Sequence, residues 1–365
     1  MKVGLCEPAL TDVKARANAG EAAFQRVMGV ALALGTCISR SDGDSAGWLR
    51  KAAEQGNAGG LYDLGVMYAD GWGVTKDERQ AVDWYRKAAE QGFASAQLNL
   101  GFMYENGRGV TKDERQSVDW LRKAAEQGNA IAQSNLGNIY ANGRGVTKDE
   151  RQSVDWYRKA AEQGNAIAQL NLGVMYENGR GVTKDERQAV DWLRKAAEQG
   201  NAIAQSNLGV MYENGRGVTK DERQAVDWYR KAAEQGYVSA AHNLGVMYAN
   251  GSGVLQDAVE AVAWFERAAR QGNAWGQRDL GRMLRDGNGV ARDSIRAHAW
   301  LNLAGAAAPP HPDAAQERDA LAESLDRTQL ADAQRLAREW KQGAAMGTSR
   351  VKVAAVRPSA RALPR

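Results

Sequence analysis

GFASAQLNLGFMYENGRGVTKDERQSVDWLRKAAEQ, residues 92–127, is followed at once by a near copy of itself and flanked by further copies in unbroken phase. A fixed period of 36 residues marks an array whose units each leave an apolar face open and bury it against the next. When units begin at Gly20, Gly56, Gly92, Gly128, Gly164, Gly200, Gly236 and Gly272, the tenth residue is Gly in all eight, Gly29 through Gly281. So is the sixteenth, Gly35 through Gly287, while the eighteenth is Gly in seven, with Cys37 as the exception. Trp recurs in one phase from Trp48 through Trp300.

Each unit reads as two helices. Ala96, Leu100, Met103 and Tyr104 fall at i, i+4, i+7 and i+8, one face of a first helix. In the unit before, Ala81, Trp84, Tyr85, Ala88 and Ala89 predict the buried face of a second helix over about residues 78–91. Asp77-Glu78-Arg79-Gln80, repeated from Asp113, Asp149, Asp185 and Asp221, resembles a capping box. Gly92 suits the left-handed residue that closes a helix, and Gly107 and Gly109 flank the loop between helices. Gly101 lies inside a helix, where Gly costs about 1 kcal/mol relative to Ala; its recurrence predicts close packing by a neighbouring helix.

Composition agrees. The chain has 365 residues with 40 Gly and only six Pro, none of them between Ala9 and Ala308. Collagen and Gly-rich disorder both want Pro beside Gly, so both are excluded. An apolar share of 44% and 11 Trp are enough for a large core. The net charge is +4, but Arg350, Lys352, Arg357, Arg361 and Arg365 lie in an acid-free terminus, which leaves the body without a basic field for a phosphate backbone. No apolar run reaches the roughly 18 residues of a membrane helix. Val27–Ile38 could be read as a displaced signal core, but it falls in register as the first unit, and a repeat helix is the expectation. No convincing secretory signal precedes it.

The motif Leu100-Gly101-x-x-Tyr104-x-x-Gly107-x-Gly109-Val110, followed by Asp113, Trp120, Ala124-Ala125 and Gly128, resembles the Sel-1-like repeat family, relatives of tetratricopeptide repeats. The resemblance covers roughly four fifths of the chain. It implies an all-α, right-handed α-solenoid of about eight helix-turn-helix repeats, with first helices lining a concave groove. The expected organisation is an N-terminal helix over residues 1–19, repeats over 20–307, capping helices over 308–342 and a basic disordered tail over 343–365. Leu32 and Leu284 replace Tyr, and Met28 and Cys37 replace Leu and Gly, so the end units are degenerate, as caps are.

Little points to catalysis. The three His, His242, His298 and His311, show no metal-ligand spacing, and the Gly-x-Gly loops follow helices, not the strand of a phosphate loop. No cofactor and no metal is expected, and the chain reads as a non-enzyme. One branch of the family carries a Cys pair per repeat and is linked to β-lactam binding, but the matching places, such as Ala89 and Gln97, hold no Cys. A β-lactam-hydrolysing member and a nucleic-acid contact through the basic tail are the alternatives. Cys6 and Cys37 come to the same end of the first hairpin, as two thiols, the expectation, or as one bridge.

The informative positions are those that vary between near-identical units. One first-helix column reads Tyr62, Leu98, Ser134, Leu170, Ser206, His242, Arg278; a second reads Val66, Phe102, Asn138, Val174, Val210, Val246, Arg282. A third alternates Ala69, Glu105, Ala141, Glu177, Glu213, Ala249. Beside them runs Asn99, Asn135, Asn171, Asn207, Asn243, a row whose carboxamides can donate to and accept from the backbone of an extended peptide. The expected function is therefore a protein-interaction scaffold that takes a peptide or protein segment in its groove. The groove candidates are the five Asn with Leu98, Phe102, Glu105, Asn138, Glu177, Glu213 and His242. A monomer in the cytoplasm is expected, with the periplasm or exterior as alternatives. A 72-residue beat, Tyr85, Leu121, Tyr157, Leu193, Tyr229 against Leu98, Ser134, Leu170, Ser206, is explained by duplication of pairs of units.

Overall fold

The computed structural model describes residues 6–347, so most of the basic terminus lies outside the described residues. Among these, regular structure is nineteen α-helices and no strand. Helix α1 (Cys6–Asn18) precedes eight pairs. These are α2 (Ala22–Leu34) with α3 (Asp42–Glu54), α4 (Ala58–Asp70) with α5 (Glu78–Glu90), α6 (Ala94–Asn106) with α7 (Glu114–Glu126), and α8 (Ala130–Asn142) with α9 (Glu150–Glu162). They continue as α10 (Ala166–Asn178) with α11 (Glu186–Glu198), α12 (Ala202–Asn214) with α13 (Glu222–Glu234), α14 (Val238–Asn250) with α15 (Ala258–Arg270), and α16 (Ala274–Asp286) with α17 (Ser294–Ala306). Helices α18 (Ala314–Ala322) and α19 (Arg327–Glu339) follow. The result is an all-α array of the α-solenoid class, and it divides into two compact units, residues 1–192 and 193–365.

The capping motif forms, but not as the reciprocal box expected. In α5, Asp77 accepts from the Arg79 and Gln80 amides at 3.0 and 3.1 Å. The Gln80 amide group turns to the second Asp77 oxygen at 3.1 Å instead of reaching back to the Asp77 N–H. That N–H already donates to the Tyr68 carbonyl at 2.9 Å, so the preceding helix has taken the place of the Gln side chain. A full box forms in α19 between Asp326 and Gln329.

Two glycine columns record close approach. A Cβ on Gly101 would stand 2.8 Å from Leu121 Cγ, so the first and second helices of one repeat meet at this point. Gly109, at φ 64°, is tighter: a Cβ would lie 2.0 Å from the Glu78 carbonyl of the preceding repeat. The loop after each first helix is thus pressed onto the start of the previous second helix, in a left-handed conformation that L side chains avoid.

In the first unit, Leu64, Leu100, Leu136 and Leu172 are fully buried, each against alanines such as Ala88 and Ala124. Removing one such side chain from water contributes about 2–3 kcal/mol. Trp84, expected in the core, is half-buried at the surface instead, with the Lys87 ammonium 4.4 Å above its ring. The pattern repeats at Trp120 with Lys123 and at Trp156 with Lys159.

The 72-residue beat, whatever duplication gave rise to it, runs through facing positions of the two helices. Tyr62 and Tyr85 face each other with ring centroids 5.8 Å apart, which sets the register between first and second helices. Leu98 and Leu121 share one buried cluster, and one repeat on, the equivalent places are held by Ser134 and Tyr157, both buried. From the third repeat to the sixth Leu–Leu and Ser–Tyr pairs alternate, which keeps the layer volume roughly constant there, whereas the second and seventh repeats pair two rings, Tyr62 with Tyr85 and His242 with Phe265.

In the second unit, α18 and α19 pack on α17, and Leu321, Ala333, Leu336 and Ala337 close the core around Trp300 and Leu301. Trp300 is fully buried, edge-on to Trp340 at 5.6 Å. The segment expected to begin the tail is in part attached: the Gly343 amide donates to the Arg270 carbonyl at 2.6 Å, and Met346 is buried.

Candidate functional site

Each first helix offers solvent one line of residues at i, i+4, i+7 and i+11. In the first unit these lines read Ser95, Asn99, Phe102, Asn106 on α6; Ile131, Asn135, Asn138, Asn142 on α8; and Ile167, Asn171, Val174, Asn178 on α10. In the second they read Ile203, Asn207, Val210, Asn214 on α12 and Ser239, Asn243, Val246, Asn250 on α14. The expected Asn row thus runs along the middle of this face, half-buried, with Phe102 and Asn138 one turn on. Leu98 stands apart from them. It is buried with Val118, Leu121 and Leu136 in the core of the first unit.

The Asn row divides according to the second helix beneath it. The buried Tyr85 hydroxyl has Asn99 beside it, and the Tyr157 hydroxyl has Asn138 and Asn171 beside it, carboxamides that favour the ionised phenol. In the second unit Tyr229 donates to Glu213 at 2.6 Å and has Asn243 beside it. Burial pushes all three phenols above their ordinary range, so they remain neutral donors in the floor of the face. Where the second helix has Leu121 in place of Tyr, Asn135 donates to its own helix at the Ile131 carbonyl, 2.8 Å away.

The alternating Glu column has a local partner as well. Arg144 donates to Glu105 at 2.7 Å and to Asn138 at 2.7 Å. Where that column holds Ala69 or Ala141, the loop arginines Arg108 and Arg180 turn to Glu78 and Glu150 instead, at 2.7 and 3.0 Å. Glu177 lies half-buried at the equivalent place on α10. His242 bonds Asp279 at 2.9 Å between the rings of Phe265 and Trp275. Burial works to raise the Asp279 carboxyl, but His242 and Arg278 hold it below its usual range.

Sequence reasoning missed a feature of this face. Ile131 and Ile167 in the first unit are 52% and 60% exposed, and Ile203 in the second is 44% exposed. They share one repeat position, held elsewhere by Gly59, Ser95, Ser239 and Trp275. The signal was an Ile out of phase with the core pattern, legible once the phase was known. Among the described residues no group of three His, Cys, Asp or Glu could hold a metal ion, and no helix is long and apolar enough to cross a membrane.

The Sel1 repeat profile matches residues 22–57, 58–93, 94–129, 130–165, 166–201, 202–237, 238–273 and 276–308. A Sel1 repeat protein from Oxalobacter formigenes is 35% identical over 86% of this chain and 90% of its own, with a TM-score of 0.65. A protective antigen of uropathogenic Escherichia coli with the same repeat fold is 30% identical over 91% of this chain and 94% of its own, with a TM-score of 0.58. No curated protein matches the chain. With eight consecutive matched repeats and the helix pairs that each requires, the chain belongs to the Sel1 repeat family.

Proposed function

We propose that the first-helix face holds an extended segment of a partner protein, with apolar side chains on the exposed isoleucines and backbone amides against the Asn row. Sel1 repeat proteins are generally protein-interaction scaffolds, mainly non-enzymatic. The observation that carries the finer reading is the exposed pair Ile131 and Ile167, each one helical turn from an Asn. A β-branched side chain left in water at one repeat position gains nothing for the fold, and apolar patches rimmed by polar groups mark binding surfaces.

The Ile131→Asp/Ile167→Asp double variant tests this. It should keep the helical circular dichroism and thermal melt of the parent while losing the partner that the intact chain captures. Undiminished capture of the same partner by the variant removes the face from the account. Nitrocefin turnover above a heat-killed control would instead favour the β-lactam alternative.

We also place the chain in an oxidising compartment, against the cytoplasmic expectation. Cys37 is disulfide-bonded, at the loop position where seven repeats have Gly. Stable disulfides belong to the periplasm and exterior. The Cys6 side chain lies outside the described residues. Denatured, unreduced protein should gain no mass on alkylation; two modified cysteines would restore the cytoplasmic reading.

A further inference from the structure

All three variable columns of the first helices end in the same residue type. The first closes on Arg278, the second on Arg282, and the third, after Ala249, on Arg285. Repeats two to seven carry no Arg or Lys at these places and the first carries one Arg, Arg26, paired with Asp63, whereas the eighth carries three guanidiniums on α16.

Two of the three are committed. Arg278 bonds Glu317 of α18 at 2.9 Å and Asp279 at 3.2 Å. Arg285 grips Asp286 through two bonds, 2.7 and 3.0 Å. Arg282 is exposed and makes no ion pair or hydrogen bond, and it lines a cavity of about 370 Å³ between α14 and α16. Phe265, Val246 and Met283 form the apolar part of the cavity, and the exposed carboxamides of Asn250 and Asn288 stand at its edge. Both carboxylates on the wall are neutralised locally, Asp279 by His242 and Arg278, and Asp286 by Arg285. Asp286 feels the Arg282 charge but is bonded to Arg285, so Arg282 is left beside the apolar floor without a directly bonded carboxylate.

We propose that this cavity recognises a carboxylate on the bound segment, an acidic side chain or a free C-terminus, with Arg282 as its counter-ion and an adjacent apolar residue on Phe265. The proposal rests on the peptide-binding reading of the first-helix face and adds to it, within the second unit, a place for an acidic group over the eighth repeat. Guanidinium suits the task because its planar fork matches a carboxylate in two bonds.

Fluorescence polarisation of the full chain with three fluorescein-labelled peptides provides the test. One, Gly-Ala-Leu-Asn-Ala-Leu, ends in a free carboxylate; the second is its C-terminal amide; the third is that amide with Asp for Asn. At least one acid-bearing peptide should bind about tenfold tighter than the neutral amide, and which one identifies the source of the carboxylate. Arg282→Ala should abolish the preference while leaving neutral binding and the thermal melt in place, and Arg282→Lys should keep part of it. Equal binding of all three peptides, or a preference that survives Arg282→Ala, overturns the proposal. If those equal affinities vanish in Ile131→Asp/Ile167→Asp, the peptide-binding reading stands alone; if no peptide binds, both fall. A single-stranded oligonucleotide that displaces the acidic peptide and needs Arg282 would also overturn it, in favour of phosphate.

Discussion

Ser134 and Tyr157 show what single residues decide in this chain. Both are nearly buried, and they belong to a column pair in which Tyr meets Ser and Leu meets Leu. Tyr157→Leu alone should cost about 1–3 kcal/mol, as does loss of buried volume in a close-packed core, and Ser134→Leu alone should cost a similar amount by overpacking. The double variant reproduces the Leu98–Leu121 pair and should recover most of the loss in a denaturant titration. Additive losses would show that the alternation is only an inheritance of duplication. The same residues explain why Leu98 was misplaced on the groove. Variation down a column was legible in the sequence, but variation that tracks a partner and variation that tracks a facing side chain look alike until the register between helices is known.

At the scale of the element, the second helices begin on acids that are already bonded. Backbone and side-chain hydrogen bonds from Gln80 and its equivalents hold the Asp77, Asp149, Asp185 and Asp221 carboxyls below their ordinary range. Their folded-state pKa therefore lies below the unfolded value of about 3.9. Their stabilising contribution is complete above that pH and disappears as pH falls through the folded value. The thermal midpoint should drop between about pH 5 and pH 2, and changing all four to Asn, itself a good cap, should flatten that drop. An unchanged slope would assign acid lability to other carboxylates. The caps and helix ends were the most legible part of the fold, because they are local: Asp and Gly act within a few residues of where they stand. The half-formed box was not legible, because the acceptor that displaced the Gln is a carbonyl of the neighbouring helix, that of Tyr68.

Across each compact unit, the ends behave differently from the interior. In the second unit the last Trp of the series is the fully buried one, because α19 and the segment through Met346 lie over it. Trp340→Ala should destabilise the last repeats by about 3 kcal/mol, the usual cost of removing a large aromatic from a packed site. Hydrogen exchange should show the loss confined to α16–α19, since each repeat contacts only its neighbours; protection lost evenly through the chain would contradict that locality.

Period, helix pairing, caps, loop corners and family were determined by the sequence alone. Each depends on residues close in the chain and is stated eight times over, so no long-range information is needed. Tertiary structure alone decided which variable residues are available to a partner. Exposure of a side chain depends on what the facing helix carries: Leu98 is covered, Ile131 is not, Asn135 bonds its own helix, and Arg282 is left without a directly bonded carboxylate. Those distinctions arise from packing between helices, which periodicity locates but cannot rank.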